Sequence, residues 1–319
     1  MPHSQERYLS TFTQVSDMAA LKSINMKPEK HGFGMIFLKT QFCAKPQLPP
    51  STLDLSGKVA VVSGANSGLG FHCCRHLLKS GLSQLITAVR SIKKGEDAAK
   101  QLRLAYPKSN IEVWNLDMSS YDSVQAFARR AEQLPRLDIA ILNAGLVKMD
   151  FTLNPKTGHE EMVQVNYLST MLLAILLLPT LRAKSPQGVP GRLTIVGSGT
   201  VHAVKFKNRN QQPLLAAFDD QKITPWDPIE LYPSSKFLGI LFLIKLVDFV
   251  HADDVVVNVV DPGYCKGSQL HREATGIVGG IVSFSKTLTA RPLEVGSSTY
   301  VDAAVLKGKE SHGCFILDW

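Results

Sequence analysis

A short β-branched segment that leads directly into a glycine-rich turn constrains the fold of this chain more than any other feature. Residues 58–63 (KVAVVS) have the composition of a buried parallel strand, and Gly64, Gly68 and Gly70 follow in the run GANSGLG. The next stretch, FHCCRHLLKSG, has a helical pattern. Glycines let a backbone turn tightly against a ligand, and a helix N-terminus offers free N–H groups to a pyrophosphate. The sequence therefore predicts a strand–turn–helix unit that binds a dinucleotide.

The remainder of the chain alternates strand patterns with helix patterns, which predicts a doubly wound parallel sheet. A chain of 319 residues can bury one sizeable core. We expect a single Rossmann-type α/β domain over residues 52–319, preceded by an N-terminal extension at 1–51, an arm that is partly irregular. The predicted strands are residues 58–63, 85–90, 111–116, 137–142, 193–198, 255–260 and 314–317.

Sheets of this kind bind their ligands beyond the carboxyl ends of the strands. The residues that fall at those ends are Gly64, Arg90, Asp117, Asn143, Ser198 and Pro262. Because the strands are expected to be parallel, these residues should meet at one edge of the sheet. The sequence therefore predicts a single ligand site there.

A tyrosine and a lysine stand four residues apart in LYPSSKF, at the start of an apolar run. Tyr232 and Lys236 are therefore expected to share one face of a helix. A free tyrosine has a pKa of about 10, and lowering it to about 7 takes about 4 kcal/mol. A neighbouring ammonium favours the phenolate, so we expect Lys236 to lower the pKa of Tyr232 and make it a tunable proton donor and acceptor. A chance pairing is the alternative interpretation of these two residues taken alone.

The order and spacing of these motifs resemble the short-chain dehydrogenase/reductase family. The glycine spacing is that of the family's cofactor loop, with Ser63 where threonine is usual. Further motifs follow in the family's order, namely LDIAILNAG with Asn143, VQVNY with Asn166, RLTIVGSG with Ser198, and VVNVVDPGY with Pro262. The resemblance covers about residues 52–319 and is greatest to the retinol-dehydrogenase-like branch, including fungal members that act in secondary metabolism.

The resemblance implies catalytic roles for four side chains. Tyr232 would donate a proton in reduction and accept one in oxidation. Lys236 would lower the pKa of Tyr232 and also bond the nicotinamide ribose. Ser198 would hydrogen-bond the substrate oxygen, and Asn166 would hold a water that links Lys236 to solvent.

Thr200 is a rival to Ser198 for the contact with the substrate oxygen. In the branch that this chain resembles, a histidine often follows the serine closely. Here His202 follows GSGTV with one extra residue, so either hydroxyl could occupy the position. His202 itself is interpreted as structural.

The resemblance also implies a nucleotide site. The residues expected to bind the cofactor are Gly64, Ser67, Gly68, Leu69, Gly70, Arg90, Lys94, Asp117, Asn143, Tyr232 and Lys236. An NAD enzyme commonly has an acidic residue at the end of the second strand, whereas this chain has Arg90 with Lys93 and Lys94 close behind. A guanidinium and two ammonium groups suit a 2′-phosphate, so we expect NADP rather than NAD. A solvated basic loop is the alternative.

Composition argues against several other classes of protein. The net charge is +8, but the basic residues are scattered and form no stripe with exposed aromatics, so no nucleic-acid partner is expected. The cysteines show neither metal-ligand nor disulfide spacing, so we expect no metal and a reducing, cytoplasmic location. These cysteines are Cys43, Cys73, Cys74, Cys265 and Cys314. No signal peptide or membrane span is expected.

The segment after Pro262 normally forms a substrate lid in this family. Here it reads CKGSQLHREATGIVGGIVSFSKTLTARP and is mostly apolar, which favours a lipophilic substrate, although a packed helix is the alternative. The runs MLLAILLLPTL and FLGILFLIKLVDFV indicate core helices or a homodimer face. Residues before about Gly32 are polar and aperiodic and are expected to be dispensable, whereas GFGMIFLKTQF could cap an apolar pocket.

We therefore expect an NADP-dependent oxidoreductase that transfers a hydride between NADPH and a carbonyl or alcohol of a lipophilic small molecule, with secondary-metabolite biosynthesis as its context. One alternative is a non-catalytic dinucleotide-sensing protein on the same fold; the loss of Tyr232 or Lys236 would have favoured it. Another is a sugar-nucleotide epimerase or dehydratase of the extended branch. That alternative is disfavoured by the glycine spacing and by the lack of a larger C-terminal substrate domain.

Overall fold

The computed structural model describes residues 30–267 and 289–319. Residues 1–29, which form most of the predicted N-terminal arm, lie outside the described residues. So do residues 268–288, which form most of the predicted substrate lid.

Seven parallel strands form one sheet in the order β3–β2–β1–β4–β5–β6–β7. They are β1 Val59–Ser63, β2 Gln84–Val89, β3 Asn110–Asn115, β4 Ile139–Leu142, β5 Gly191–Val196, β6 Val255–Val260 and β7 Phe315–Ile316. The strand order reverses between β1 and β4, which is where such sheets bind ligands. The predicted doubly wound sheet and single α/β domain are confirmed, and each predicted strand is found within about two residues of its expected ends.

Helices flank both faces of this sheet. They are α1 Phe33–Leu38, α2 Gly68–Lys79, α3 Ile92–Ala105, α4 Tyr121–Glu132, α5 Thr170–Lys184, α6 Pro228–Leu246 and α7 Leu293–Val301. Wider π-helical turns continue α1 (Lys39–Cys43), precede α5 (Gln164–Ser169, after the short turn Glu161–Val163) and continue α7 (Asp302–Leu306). Single 3₁₀ turns lie at Gly199–Ala203, Ala216–Phe218 and Lys309–Ser311.

The core lies in two apolar layers because successive strand residues point to opposite faces of the sheet. Val61 of β1 packs on one side with Trp114 of β3. Ala60 and Val62 pack on the other side with Leu77 of α2. Both faces of β1 are therefore buried, which explains the continuous apolar composition of this strand.

One helical stretch in residues 30–267 and 289–319, Glu161–Lys184, is long and apolar enough by composition to cross a membrane. Its most apolar window is 61% buried inside the protein. Leu173 and Leu177 of α5 are fully buried in the layer beside the sheet. This burial is what a core helix requires.

Candidate functional site

The glycine turn after β1 is closed by contacts that leave no room for side chains. Gly64 has φ +66° and Gly68 has φ +58°, values that side-chain-bearing residues rarely adopt. A Cβ on Gly70 would lie 2.5 Å from both the Gly64 carbonyl oxygen and the Asn143 amide nitrogen. The turn therefore packs directly against β4 and leads into α2, whose N-cap is Ser67.

Asn143 fixes this turn through its side chain. The Nδ2 group donates to the carbonyl oxygens of Ser63 at 2.9 Å and Gly64 at 3.1 Å. Its Oδ1 accepts from the Tyr300 hydroxyl at 3.1 Å. Tyr300, on α7, is fully buried, and burial raises its pKa. Sequence patterns did not indicate Tyr300, because it lies 157 positions from its partner and outside any motif.

Basic side chains stand where β2 ends. Arg90 and Lys94 line the outer part of the cavity beside Ser67, whereas Lys93 is not among the residues that line it. The backbone is held there, since Asn115 Nδ2 donates to the Arg90 carbonyl oxygen at 3.1 Å and Ser91 Oγ accepts from the Lys94 amide at 3.4 Å. Two cations therefore face one end of the site.

Asp117 follows β3 at the neighbouring strand end. Its Oδ1 accepts from the Ser119 amide at 2.9 Å, and its own amide donates to Ser123 Oγ at 2.9 Å. Asp117 lines the same cavity as Arg90. The prediction that strand ends converge on one site is therefore realised at β2 and β3.

A single cavity of about 1140 Å³ joins the strand ends to the start of α6. The predicted site residues that line it are Gly64, Ser67, Gly68, Leu69, Arg90, Lys94, Asp117, Asn143, Ser198, Tyr232 and Lys236. Gly70 and Asn166 do not line the cavity, but both contact residues that do. The volume is large enough for a dinucleotide together with part of a small substrate.

Helix α6 carries the predicted tyrosine–lysine pair, as its spacing indicated. Asp227 caps the helix by accepting from the Glu230 amide at 3.2 Å, and Pro228 occupies the first turn. Lys236 is buried and donates from Nζ to the carbonyl oxygen of Val196, the last residue of β5, at 2.9 Å. Burial lowers the pKa of Lys236 to about 8.

The pKa of Tyr232 moves opposite to the sequence-based expectation. Burial raises it to about 12, a hydrogen bond with Ser198 acts to lower it, and the nearby Asp261 carboxylate acts to raise it. The expected net lowering is therefore contradicted, because burial dominates and the Lys236 ammonium bonds the Val196 carbonyl oxygen. Tyr232 is therefore a protonated phenol at neutral pH.

The hydroxyls of Ser198 and Thr200, the two candidates for the contact with the substrate oxygen, both line the cavity with Tyr232. Ser198 is the N-cap of the turn Gly199–Ala203. The Thr200 hydroxyl lies 2.8 Å from Ser198 Oγ, and the Thr200 amide donates to that same oxygen at 3.3 Å. His202 stacks on Phe315 with ring centroids 5.9 Å apart, in line with the structural role expected for it.

Asn166 holds the backbone behind the pair. Its Oδ1 accepts from the Leu146 amide at 2.9 Å, and its Nδ2 donates to the Leu146 carbonyl at 2.9 Å and to Ser235 Oγ at 3.1 Å. A Cβ on Gly145 would lie 3.1 Å from Asn166 Oδ1 and 3.4 Å from Lys236 Nζ. Asn166 is therefore a neighbour of Lys236, and its water-holding role stays a prediction.

Asp261 is a site residue that sequence reasoning missed. It is 7% exposed, and burial raises its pKa to about 6, while backbone N–H groups of Gly199 and Gly263 act to lower it. A Cβ on Gly199 would lie 2.7 Å from Asp261 Oδ2. The carboxyl group thus joins the Ser198 turn to the turn after β6. An acidic residue at the end of a buried strand, directly before Pro262, was the available signal.

A nicotinamide dinucleotide fits these residues. The glycine turn brings backbone, not side chains, to the N-terminus of α2, which suits a pyrophosphate. Arg90 and Lys94 suit an anionic group at one end of the cavity, and Tyr232 with Ser198 suits a carbonyl oxygen at the other.

Comparisons with known proteins agree with this arrangement. The family model for short chain dehydrogenases matches residues 58–206. The chain is 56% identical to the short chain dehydrogenase/reductase mfmJ of Annulohypoxylon moriforme, over 89% of this chain and 82% of that protein. It is 42% identical to the short chain dehydrogenase virL of Hypocrea virens, over 89% and 82% of the two chains.

Solved structures share the fold. The NADPH-dependent 3-quinuclidinone reductase from Rhodotorula rubra superposes with a TM-score of 0.61 at 22% identity, over 86% of this chain and 96% of that one. A short chain dehydrogenase from Escherichia coli CFT073, complexed with NADPH, superposes with a TM-score of 0.62 at 20% identity, over 84% and 99% of the chains.

Proposed function

Because this chain belongs to the short-chain dehydrogenase/reductase family and is an NAD(P)-dependent oxidoreductase, we propose that it transfers a hydride between NADPH and a carbonyl or alcohol of a lipophilic small molecule. One observation carries the proposal: the Tyr232 phenol and the Ser198 hydroxyl share a cavity with the Arg90 and Lys94 cations. One cavity thus contains both an acid for the substrate oxygen and cationic side chains that can bind the cofactor.

The choice of NADPH rests on charge at the end of β2. Arg90 and Lys94 face the cavity, and a guanidinium pairs well with a phosphate that NADH lacks. When bound, NADPH supplies the hydride. The 2′-phosphate would lie near Arg90, and the pyrophosphate would lie at the N-terminus of α2.

Proton delivery falls to this chain's own side chains. As negative charge grows on the carbonyl oxygen, the hydroxyls of Ser198 and Tyr232 stabilise it as hydrogen-bond donors. Tyr232 then gives up its proton. Because burial raises the pKa of Tyr232 to about 12, the phenol is in the form that reduction needs. Lys236, at the next turn of α6, ties this helix to the end of β5 by donating to the carbonyl of Val196.

The apolar walls around Tyr232 favour a lipophilic substrate. Leu146, Val147 and Met149 line the cavity from the segment after β4, and Ile36 and Phe37 line it from the N-terminal helix. The relatives mfmJ and virL are fungal short chain dehydrogenases, and the proposal includes a role in secondary-metabolite biosynthesis.

A cytoplasmic location and a homodimer complete the proposal. Apolar side chains at the surface support the dimer, since Ile175 of α5 is 47% exposed and Ile244 of α6 is 53% exposed. Two such helices could pair with their copies in a second molecule.

The proposal is tested by NADPH oxidation with purified full-length protein. The assay uses a series of ketones and aldehydes of increasing apolar size, with NADH run in parallel and Tyr232→Phe as the inactive control. We expect turnover that favours NADPH and the larger apolar carbonyls. If NADPH binds but no carbonyl is reduced and no alcohol is oxidised with NADP, the dinucleotide-sensing alternative replaces this proposal.

A further inference from the structure

We propose that the N-terminal wall, defined as α1 (Phe33–Leu38) with its π-helical turn Lys39–Cys43, selects the substrate by its bulk, and that Gln41 is the positioning residue that holds this wall in place. The inference rests on the proposed function, because it concerns the substrate end of the same cavity. It assigns specificity to a segment that lies outside the α/β sheet and carries none of the family motifs.

The N-terminal wall turns one face toward the cavity. The wall residues that line it are Phe33, Ile36, Phe37, Thr40 and Gln41. This spacing of three and four places them on one side of a helix. The wall packs against the turn Gly199–Ala203, which directly follows Ser198. Its aromatic side chains therefore lie near the hydroxyls that would receive the substrate oxygen.

The opposite face of the wall does not line the cavity. Met35 is 49% exposed and Leu38 is 52% exposed. Ile36, on the inner face, is only 5% exposed. The two faces thus offer matched apolar positions, one set against the cavity and one against solvent.

Gln41 fastens the wall to Tyr264, directly before the predicted lid, and to Thr289, near the end of the predicted lid. Its Oε1 accepts from the Tyr264 amide at 3.1 Å, and its Nε2 donates to the Tyr264 carbonyl at 3.0 Å. The same Nε2 donates to the Thr289 carbonyl at 2.7 Å. Gln41 is only 9% exposed, so these bonds hold its side chain in the interior, and their loss would weaken the attachment of the wall to both segments.

Arg291 adds a second attachment one residue along the wall. Its guanidinium donates to the Thr40 carbonyl oxygen and, at 2.9 Å, to Asp318 Oδ1. Trp319 lies over the same guanidinium, with 4.9 Å between the Arg291 Cζ and the ring centroid. The wall is therefore tied to the C-terminus as well as to the lid ends, which makes it a fixed boundary of the pocket.

A fixed apolar wall discriminates substrates by the area they bury against it. The test compares wild type, Phe37→Ala and the outer-face control Leu38→Ala on a large ketone, 2-acetylnaphthalene, and a small one, butan-2-one. We expect Phe37→Ala to lower the large-to-small ratio of kcat/KM about 10- to 100-fold. Leu38→Ala should leave the ratio within about twofold. Equal ratios for Phe37→Ala and Leu38→Ala would overturn the inference.

Gln41→Leu tests the attachment without removing the wall's apolar face. We expect faster hydrogen exchange at the Tyr264 amide and a higher KM for 2-acetylnaphthalene, with kcat and the NADPH Kd nearly unchanged. A purely structural role would lower the yield or melting temperature without this split between KM and kcat. Unchanged exchange at Tyr264 would remove Gln41 from the inference.

Binding separates failure of this inference from failure of the proposed function. If wild type binds 2-acetylnaphthalene in the presence of NADPH but does not reduce it, the proposed reaction fails and the wall is tested by the Kd of the same variants. If wild type does not bind this ketone at all, the wall does not select large apolar substrates and the inference is overturned.

Discussion

The hydroxyl oxygens of Ser198 and Thr200 lie 2.8 Å apart. Ser198 Oγ also accepts from the Thr200 amide at 3.3 Å. Ser198, and not Thr200, is among the groups that act on the pKa of the Tyr232 phenol, which it lowers. We therefore expect Ser198 to contact the substrate oxygen and Thr200 to orient the Ser198 hydroxyl.

Ser198→Ala and Thr200→Val separate these two roles. Loss of a donor to a developing oxyanion costs about 10²- to 10³-fold in kcat, so we expect a fall of that size in Ser198→Ala. Thr200→Val keeps the Ser198 hydroxyl and should cost about tenfold or less, the scale of one neutral hydrogen bond. The measurement is kcat of both variants on one ketone in steady-state kinetics. A larger loss of kcat in Thr200→Val than in Ser198→Ala would make Thr200 the residue that contacts the substrate oxygen.

Tyr232→Phe should remove proton donation while leaving the cofactor site intact, because only the hydroxyl is lost. General acid catalysis contributes about 10²- to 10⁴-fold, and turnover should fall by at least that scale. The NADPH Kd, measured by fluorescence titration, should stay close to the wild-type value. Turnover near wild type would remove Tyr232 from the mechanism.

Arg90→Asp should shift cofactor preference toward NADH. A charge-assisted hydrogen bond is worth about 1.5–3 kcal/mol, or about 10- to 150-fold in NADPH affinity. Lys93→Asp is the matched control, since Lys93 carries the same charge three residues away but does not line the cavity. Both cofactors are titrated against both variants. An unchanged preference in Arg90→Asp would transfer the role to Lys94.

The parts of the site that were predicted correctly are those encoded by nearby residues. The β-branched run before Gly64 specifies a buried strand, and the spacing of Tyr232 and Lys236 places both on α6. Strand ends then converge because parallel strands all end at the same edge of the sheet. These relations need only the local pattern and the topology.

The parts that were missed depend on packing between distant segments. Tyr300 reaches Asn143 only after α7 closes against α2, and Asp261 meets Gly199 only when β5 and β6 pair. The direction of the Tyr232 pKa was wrong for the same reason, because burial belongs to the assembled cavity. The four-residue spacing indicates that Lys236 lies near Tyr232 on the helix. It does not indicate the direction in which the Lys236 ammonium points.

Two truncations test the division of the N-terminal segment. Removal of residues 1–31 ends before Phe33 and should leave the melting temperature and turnover nearly unchanged. Removal of residues 1–50 takes away Ile36 and Gln41, both buried, and should lower the melting temperature or raise KM for an apolar ketone. If the shorter truncation abolishes activity in folded protein, residues before Gly32 belong to the site and the expected dispensability is wrong.

Glu160 gives the fold a measurable dependence on pH. The side chain is fully buried, its Oε2 accepts from the Val163 amide at 2.9 Å, and Oε1 has no hydrogen-bond partner in the part of the chain that the structure describes. Burial raises the pKa from 4.5 to about 7, and the charges of Glu161 and Asp219 add to the rise. The folded protein therefore holds a proton on Glu160 that the unfolded chain releases at lower pH.

Glu160→Gln should remove that dependence while keeping an oxygen for the Val163 amide. Because the folded pKa lies above the unfolded one, wild type loses stability relative to the variant as pH rises from 4.5 to about 7. The difference should reach at most about 3 kcal/mol. Urea unfolding at several pH values measures it, with Glu132→Gln, an exposed position at the end of α4, as the control. Parallel stability curves for wild type and Glu160→Gln would mean that Glu160 ionises in the folded state as readily as in the unfolded chain.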